Sequence, residues 1–420
     1  MPSLRHARRF ADQLGPGLIT GAADDDPSGL ATYSQAGAQF GAGLLWTLAF
    51  TTPLMIGIQM VSARIGWLTG EGLAANVCKV MPRRIALGLV VLLVLANTLN
   101  IAADVSAMGE ALQILVGGPE HGETLVFGAL CALLPVWLSY EAMVRVLKWL
   151  TVALLAYVAV VFALHVDWEH VLLRTLVPHL RGGEGYAMMI VAVLGTTISP
   201  YLFFWQAAQE SEGRRRFDAG NGLHTHAAFV REHLGRIRLD TTIGMVFSNL
   251  IAFCVMLATA ITLNGSGVVD IQTTRQAAEA LRPVAGDFAF TLFALGIIGT
   301  GMLAVPVLAG SAAYAVADVF QWRAGFDHAL GEARGFYAVL VAATLIGTAL
   351  DLTPLDPMKA LLWSAVANGV VAVPIMAVMM RIGSDARILG AWTLSTRHRV
   401  LGWTATGVMA AAVAAMLVGG

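Results

Sequence analysis

Apolar segments of about 20 residues alternate with short polar segments along almost the whole chain. A helix that crosses the hydrocarbon layer of a membrane, roughly 30 Å thick, needs about that length, and eleven segments have it. They lie near residues 15–37, 43–65, 86–112, 124–140, 147–166, 187–208, 241–263, 287–317, 335–351, 359–381 and 399–418. The longest polar stretch runs only from about residue 209 to 239. The pattern therefore predicts an all-α integral membrane protein in which residues 1–420 form a single transmembrane domain.

Composition agrees with this pattern. The chain is 57% hydrophobic and 13% charged, with a mean hydropathy of +0.72, whereas soluble domains average roughly 45–50% apolar and about 25% charged residues. Cys78, Cys131 and Cys254 stand singly in or near apolar runs, so we interpret them as packing residues and predict no disulfide framework. The first 17 residues hold no apolar region that ends in a cleavage site, so we expect a cytoplasmic tail rather than a signal peptide.

The positions of the cationic residues predict the orientation. Cytoplasmic loops of membrane proteins are enriched in Lys and Arg. With the N-terminus placed in the cytoplasm, 21 of the 26 Lys and Arg residues fall on the cytoplasmic side, and the five that fall outside are Arg174, Arg181, Arg275, Arg282 and Lys359. We therefore predict a multi-pass protein of the plasma (inner) membrane, with its N-terminus in the cytoplasm and its C-terminus outside.

The first predicted span contains three consecutive carboxylates, Asp24, Asp25 and Asp26, followed by Pro27. An Asp at the centre of a membrane helix costs roughly 2.5–3.5 kcal/mol on insertion scales, so each is a candidate functional residue. Three neighbours cannot face one cavity from an intact helix, and Pro27 and Gly29 favour a break there. The segment therefore predicts an unwound stretch whose carbonyl oxygens face a bound ion. The alternative places the acidic run at the aqueous end of a misplaced span.

A second interruption lies in the sixth predicted span, where Thr196, Thr197 and Ser199 precede Pro200. Paired proline-interrupted spans, one opening each half of a ten-span unit, are typical of inverted-repeat transporters whose site lies between the two breaks. We predict one repeat over about residues 15–166, a second over about residues 187–381, and an extra helix over about residues 399–418. Taken singly, each break is also compatible with an ordinary proline kink.

Polar side chains recur in two further spans and in one loop. In the third span Asn97, Asn100 and Asp104 form one helical stripe, which we expect to face the bundle. Asp104 then either carries protons or satisfies neighbouring backbone groups. In the tenth span Asn368 either reaches the cavity or makes an interhelical hydrogen bond. Three histidines of the longest loop either stage a metal ion or belong to a solvated basic segment: His224, His226 and His233.

Two motifs carry a family resemblance. The segments "LGPGLITGAADDDPSGLATYSQAGAQFG" and "TTISPYLFFWQ", in an eleven-span layout, resemble the NRAMP family of divalent-metal transporters. The resemblance runs through spans one to ten and implies a LeuT-like fold: two inverted five-helix repeats with broken first and sixth helices, plus an eleventh helix. That family breaks its first helix at Asp-Pro-Gly-Asn and its sixth at Met-Pro-His. The matching residues are Asp26, Pro27, Ser28 and Gly29, and then Ser199, Pro200 and Tyr201. The family's metal-binding aspartate therefore corresponds to Asp26.

The sequence departs from the family at its ligand positions. The family's asparagine corresponds to Gly29 and its methionine to Ser199, so a hydroxyl replaces a soft thioether. Its histidines on the sixth helix correspond to Tyr201 and Gln206. The usual proton route is therefore missing, and either Asp104 replaces it or transport is uncoupled from protons. An all-oxygen site suits Mg²⁺, Mn²⁺ or Ca²⁺, which implies a divergent, NRAMP-related branch.

These observations predict a secondary transporter that imports a divalent cation, with Mn²⁺ or Mg²⁺ favoured, by alternating access. Asp26 is the expected direct ligand, while Asp24 and Asp25 set the potential of the cavity or hold water around a partly hydrated ion. The predicted metal-site residues are Asp26, Ser199, Ala23, Thr196, Thr197, Asp25, Asp24, Gly29, Tyr201 and Asn368. The predicted proton-pathway residues are Asp104, Asn100 and Gln206.

Other functions are compatible with parts of this pattern. A symporter of the same broken-helix fold for a small organic solute, such as an amino acid, would bind a substrate carboxylate at the half-helix after Pro200. The acidic residues at the facing break disfavour an anionic substrate. A non-transporting sensor or an intramembrane enzyme is the third option, but the spans hold no activated nucleophile or HExxH-like pair, so we predict no enzyme.

The expected partners follow from the leading hypothesis. They are the divalent cation as substrate, the lipid bilayer and, if transport is coupled, protons. We predict no cofactor and no nucleic-acid partner, and the sequence is compatible with a monomer.

Overall fold

The computed structural model of the chain describes residues 16–117, 121–137, 152–180, 185–221, 227–351 and 356–419. These ranges contain helices and turns but no β-strand. Four sequence predictions extend well outside the described residues: the N-terminal tail, the fourth and fifth spans, and the loop with His224 and His226.

The described ranges contain fifteen helices of eight residues or more. In chain order they are α1 (Pro16–Asp24), α2 (Pro27–Phe40), α3 (Leu45–Thr69), α4 (Leu73–Val80), α5 (Arg83–Val116), α6 (Gly122–Trp137), α7 (Leu155–Ala163), α8 (Trp168–Leu176), α9 (Tyr186–Thr197), α10 (Pro200–Asn221), α11 (Ala227–Thr262), α12 (Ala289–Phe320), α13 (Arg334–Leu350), α14 (Pro357–Ser384) and α15 (Thr396–Gly419). Shorter α-helical turns lie at Thr274–Ala278, Arg282–Ala285 and Ala386–Leu389.

Where the predicted segments are described, each of them coincides with one of these helices or with a consecutive pair of them. Within the described residues, seven helical stretches are long and apolar enough to cross a membrane, and the first of them, Pro27–Thr69, joins α2 and α3. Helices α6 and α13 are apolar but shorter, and the fifth segment is described only in part, as α7. The predicted all-helical membrane architecture is confirmed.

The outside of the bundle is apolar. Leu95, Phe162 and Trp363 are each more than half exposed, at 58%, 78% and 59%. A water-soluble protein rarely exposes so much contiguous apolar surface. In a bilayer these side chains face lipid, and the polar residues of the spans turn inward.

The inside of the bundle is built by close helix pairs. Helices α1 and α2 pack on α11, α10 packs on α3, and α5 packs on both α12 and α14. The contact between α1 and α11 depends on glycine: a Cβ at Gly17 would lie 2.7 Å from the Thr241 backbone nitrogen, and one at Gly21 would overlap the Gly244 backbone. Small residues at such positions let membrane helices approach closely.

Two helical segments are interrupted at mid-length. Helix α1 ends at Asp24 and α2 begins at Pro27, and the intervening Asp26 is extended, with φ −70° and ψ 169°. Pro27 fits the first position of α2 because that position needs no backbone N–H donor. Helix α9 likewise ends at Thr197, and α10 begins at Pro200. Both interruptions leave backbone carbonyls outside the regular hydrogen-bond pattern of a helix.

Candidate metal centre

Asp26 lies at the first interruption and contacts two other helices. Its Oδ1 accepts a hydrogen bond of 2.6 Å from the Gly29 backbone N–H, which is the usual role of an N-cap aspartate. Its Oδ2 accepts a bond of 2.9 Å from Asn100 Nδ2 of α5 and one of 3.4 Å from the Tyr201 hydroxyl of α10. The side chain is 2% exposed. These donors are neutral, so they stabilise the carboxylate without cancelling its charge, and a cation remains the natural partner.

Asn100 connects Asp26 to the second buried acid of this cluster. The same Asn100 Nδ2 donates to Asp104 Oδ2 at 3.3 Å, and the Ser28 backbone N–H donates to Asp104 Oδ1 at 3.2 Å. Asn368 of α14 donates to Asn100 Oδ1 at 3.4 Å. Asp104 thus satisfies a neighbouring backbone group, and Asn368 makes an interhelical bond, each being one of the two roles expected for it. Asp104 and Asn368 are both hydrogen-bonded directly to Asn100.

Tyr201 joins the two interruptions. Its hydroxyl lies 2.9 Å from the Ala23 carbonyl oxygen, to which it donates, and 3.4 Å from Asp26 Oδ2. Since a hydroxyl has one hydrogen, the two acceptors share it. Ala23 lies in the last turn of α1, where carbonyl groups lack partners within the helix. The Ala23 carbonyl and the Asp26 carboxylate therefore converge on one point beside α10.

Asp24 and Asp25 face a different helix from Asp26. Ser248 Oγ of α11 lies 2.6 Å from Asp24 Oδ2 and 3.2 Å from Asp25 Oδ1. Both acids are almost fully buried, and Asp24 Oδ1 has no hydrogen-bond partner among the described residues. The three consecutive carboxylates are therefore divided between two walls of the interruption. Sequence reasoning missed Ser248, because nothing distinguishes one serine in an apolar span from another.

The hydroxyls of the second interruption turn toward their own helix. Ser199 Oγ donates to the Gly195 and Thr196 carbonyls at 2.8 and 2.9 Å, and Thr197 Oγ1 donates to the Val193 carbonyl at 2.9 Å. Each oxygen keeps a lone pair but has used its hydrogen. These hydroxyls can therefore act toward a cation only as acceptors, which is the role a metal ligand needs.

Gly29 brings the start of α2 against α9. A Cβ at Gly29 would lie 3.0 Å from Thr196 Oγ1 and 3.4 Å from Asp26 Oδ1. Any side chain here would have to push Thr196 aside. The absence of a side chain thus sets the distance between the two interruptions.

Gln206 belongs to a separate polar network. Gln59 of α3 donates to Gln206 Oε1 at 2.6 Å, and Gln206 donates to Thr241 Oγ1 of α11 at 2.8 Å. Of the predicted proton-pathway residues, only Asn100 and Asp104 are hydrogen-bonded within the Asp26 cluster. His233, the described histidine of the long loop, stacks on the Trp67 indole with ring centroids 3.5 Å apart.

Sequence reasoning also missed two serines that connect the Asp26 cluster to α14. Ser28 and Ser364 are 3.1 Å apart through their hydroxyl oxygens, and Ser28 Oγ also donates to the Leu361 carbonyl at 3.1 Å. Ser28 was visible only as a position in the resemblance. Ser364 lies four residues before Asn368, one turn along the same helix face, and that spacing was the available signal.

The cluster is chemically an oxygen site. Among the described residues, no three His, Cys, Asp or Glu side chains converge on one point. A divalent ion at Asp26 would therefore meet one carboxylate and neutral oxygens from the backbone and from side chains. Mg²⁺ characteristically binds through one or two carboxylates and keeps several waters.

A family profile and several known proteins match this chain. Residues 17–419 match the profile of the family described as Nramp, natural resistance-associated macrophage protein-like. The divalent metal cation transporter MntH of Klebsiella pneumoniae is 24% identical over 427 residues, covering 99% of this chain and 96% of the relative. MntH of Deinococcus radiodurans is 26% identical over 409 residues, covering 95% of this chain and 88% of the relative.

Solved structures match the fold at lower identity. The manganese transporter of Eremococcus coleocola superposes with a TM-score of 0.77 at 16% identity, covering 95% of this chain and 84% of that one. Mhp1, a nucleobase-cation-symport-1 family transporter, superposes with a TM-score of 0.57 at 13% identity, covering 97% of this chain and 92% of that one. At such identities the matches establish the architecture rather than the ligand.

Proposed function

Because this chain belongs to the Nramp family, whose profile covers residues 17–419, we propose that it is a secondary transporter that imports a divalent metal cation by alternating access. The family consists of transporters rather than enzymes. The profile match over residues 17–419 confirms the family resemblance that the two sequence motifs indicated. The names of the Klebsiella and Deinococcus relatives, both divalent metal cation transporters, support a metal ion as the substrate.

One observation carries the assignment of the site. Asp26 is buried at a helix interruption, is held by neutral donors, and shares Asn100 with a second buried acid, Asp104. A pair of carboxylates in a low-dielectric interior attracts a divalent cation much more strongly than a monovalent one. The proposed ion binds Asp26 directly, with the Ala23 carbonyl, the Ser199 hydroxyl and carbonyls at Thr196 or Thr197 as further ligands.

The ligand set favours Mn²⁺ or Mg²⁺. A thioether would select softer transition metals, and Ser199 supplies oxygen in its place. Asp24, Asp25 and Tyr201 lie around the same interruptions and would hold water of a partly hydrated ion. Asn368 would act through Asn100, with which it is hydrogen-bonded.

Alternating access suits the proposed architecture. The two interruptions, in the first and sixth spans, would occupy equivalent places in inverted repeats over about residues 15–166 and 187–381 of a LeuT-like fold. Asp26, Asp104 and Ser199 are at most 2% exposed, so import requires one side of the bundle to open at a time. In the proposed orientation, with the N-terminus in the cytoplasm, movement of α1 opens the cytoplasmic side.

The test is uptake of Mn²⁺ and Mg²⁺ into proteoliposomes by the parent and by Asp26→Asn. Asparagine is as good an N-cap as aspartate, so this substitution removes the charge and keeps the helix start. We expect uptake to fall at least about tenfold, since a ligand charge is lost. Asp167→Asn is the matched control, because Asp167 caps α8 through the His170 N–H at the exposed surface, and we expect parental uptake.

Two results would contradict the proposal. Parental uptake by Asp26→Asn would show that the site is elsewhere. Uptake of an amino acid without any dependence on metal ions would favour the organic-solute symporter instead.

A further inference from the structure

Buried polar side chains continue from the metal centre along α10. Gln206 is followed one turn later by Glu210, whose side chain is 1% exposed. Glu210 Oε1 has no hydrogen-bond partner among the described residues. A buried carboxylate oxygen without a donor costs several kcal/mol of desolvation. Such an atom is retained more readily if it has a ligand in another state of the protein.

Helix α11 presents a second buried acid to Glu210. Gln206 bonds to Thr241 across the helix interface at 2.8 Å, which fixes the register of the two helices. Asp240, the neighbour of Thr241, is 2% exposed and interacts electrostatically with Glu210. Arg236, one turn before Asp240, interacts with Glu210 as well. Glu210 follows Gln206 by one turn and Asp240 directly precedes Thr241, so the two acids flank the Gln206–Thr241 hydrogen bond between α10 and α11.

Asp240 also holds the first turn of α1 in place. Its Oδ2 accepts a hydrogen bond of 2.7 Å from the Gly17 N–H. A carboxylate at a helix N-terminus is favoured by the helix dipole and by the unpaired N–H groups there. Since α1 packs on α11 through Gly17 and Gly21, this bond closes the side of the metal centre that the arginine and lysine distribution assigns to the cytoplasm.

We propose that Glu210 and Asp240 form a second cation-binding station, used by the ion on its way from Asp26 to the cytoplasm. The inference rests on the proposed import of a divalent cation. When α1 moves off α11, Asp240 loses the Gly17 N–H. The two carboxylates and the second lone pair of Gln206 Oε1, whose first lone pair accepts from Gln59, then form a hard oxygen set for a divalent ion. The ion and the Gly17 N–H compete for Asp240, so an ion bound here keeps α1 displaced until it leaves. The positive charge of Arg236 lowers the affinity of this second station for the cation and so favours its release.

The test compares the two faces of the membrane. Mn²⁺ counterflow is measured in vesicles of either orientation, for the parent, Glu210→Gln and Glu212→Gln. For Glu210→Gln we expect the half-saturating Mn²⁺ concentration on the cytoplasmic side to rise at least about fivefold, with the value on the other side changed less than about twofold. If Glu210 had only a structural role, its substitution would change the half-saturating Mn²⁺ concentration on both faces rather than on one.

Glu212→Gln is the matched control. Glu212 lies on the same helix, is 6% exposed, and is hydrogen-bonded by the Tyr314 hydroxyl at 2.7 Å, so we expect parental values on both faces. Glu210→Asp keeps the charge and should restore part of the cytoplasmic affinity. Unchanged cytoplasmic affinity in Glu210→Gln, an equal change on both faces, or a Glu210→Asp variant as defective as Glu210→Gln would overturn the inference. Failure of the parent to transport Mn²⁺ at all would instead contradict the proposed function.

Discussion

Asn100 places two carboxylates at a fixed separation with a single amide group. An amide nitrogen carries two hydrogens, so Nδ2 can serve Asp26 and Asp104 at once, at 2.9 and 3.3 Å. An ion at Asp26 is therefore also within the field of Asp104. This arrangement makes Asp104 a candidate for coupling the charge of the ion to the charge of a proton.

Asp104→Asn tests that coupling. Asparagine keeps an oxygen to accept the Ser28 N–H bond of 3.2 Å, so the local structure should survive. We expect Mn²⁺ binding to weaken but persist, because Asp26 remains while the field of Asp104 is lost, and the stimulation of uptake by a pH gradient to disappear. The measurement is proteoliposome uptake with and without the gradient, beside equilibrium Mn²⁺ binding, with Asp351→Asn as a control near His121. An identical gradient response in Asp104→Asn and the parent would contradict the prediction, and a parent without any response would mean uncoupled transport.

Ser199→Met tests the role of ligand softness. Ser199 Oγ is bonded only to carbonyls of its own helix turn, so the substitution breaks no contact between helices. We expect uptake of Cd²⁺ relative to Mg²⁺ to rise by about tenfold, because a thioether prefers softer ions. Ser211→Met is the control, since Ser211 is equally buried on α10 and bonds to the Ala208 carbonyl. The same shift in both variants would show that the effect does not come from the site.

The sequence identified the acidic cluster but not the direction of its side chains. Asp26 was predictable, because an Asp before a proline at a helix start has one dominant geometry. Asp24 and Asp25 face Ser248 on α11, and no periodicity could have predicted this. Helical spacing assigns faces only while the helix continues, and here α1 ends at Asp24.

At the scale of elements, α1 is a short helix that packs closely on α11. It has nine residues and packs on α11 through glycines. We expect Gly21→Ala to lower the free energy of unfolding by about 1–3 kcal/mol, the usual cost of overpacking, because the new Cβ overlaps the Gly244 backbone. Thermal unfolding in detergent measures this effect.

Gly213→Ala provides the comparison for that experiment. Gly213 lies in α10, and a Cβ there meets no atom within 4 Å. We expect this variant to be as stable as the parent or slightly more stable, since alanine favours helix. Equal stability of Gly21→Ala and Gly213→Ala would mean that α1 does not pack tightly on α11.

The sequence predicted where the spans lie better than where their helices end. Helix α11 begins at Ala227, well before the predicted apolar segment near 241. The additional turns carry charged residues such as Arg231 and Glu232, which an apolar-run criterion excludes although they are good helix formers. Helix α5 likewise extends beyond the predicted 86–112 at both ends, from Arg83 to Val116.

At the scale of the whole molecule, the predicted orientation can be tested directly. A reporter active only outside the cytoplasm, such as alkaline phosphatase, is fused after Gly420, and a second one is fused before Met1. We expect activity from the C-terminal fusion alone, because an odd number of spans places the two termini on opposite sides. Activity from neither fusion, or from both, would indicate an even number of spans.

The all-helical membrane architecture was accessible from the sequence, although most of that sequence has diverged from proteins of known structure. A TM-score of 0.77 accompanies only 16% identity to the Eremococcus manganese transporter. Packing tolerates exchange among apolar residues of similar volume, so the fold persists while the sequence diverges. The contacts of Ser248, Glu210 and Asp240 lie between residues far apart in the sequence, so the structure was needed to find them.

The hydrogen bonds around Asp26 have a consequence for sodium and potassium. Tyr201 donates to the Ala23 carbonyl and Asn100 donates to the Asp26 carboxylate, and an ion that binds these oxygens competes with both donors. A hydrogen bond to a charged group is worth about 1.5–3 kcal/mol, while the Coulomb energy of an ion scales with its charge. A monovalent ion recovers half as much as a divalent one at the same distance. For the proposed transporter, we therefore expect the lower charge of the abundant monovalent cations to disfavour their binding at Asp26.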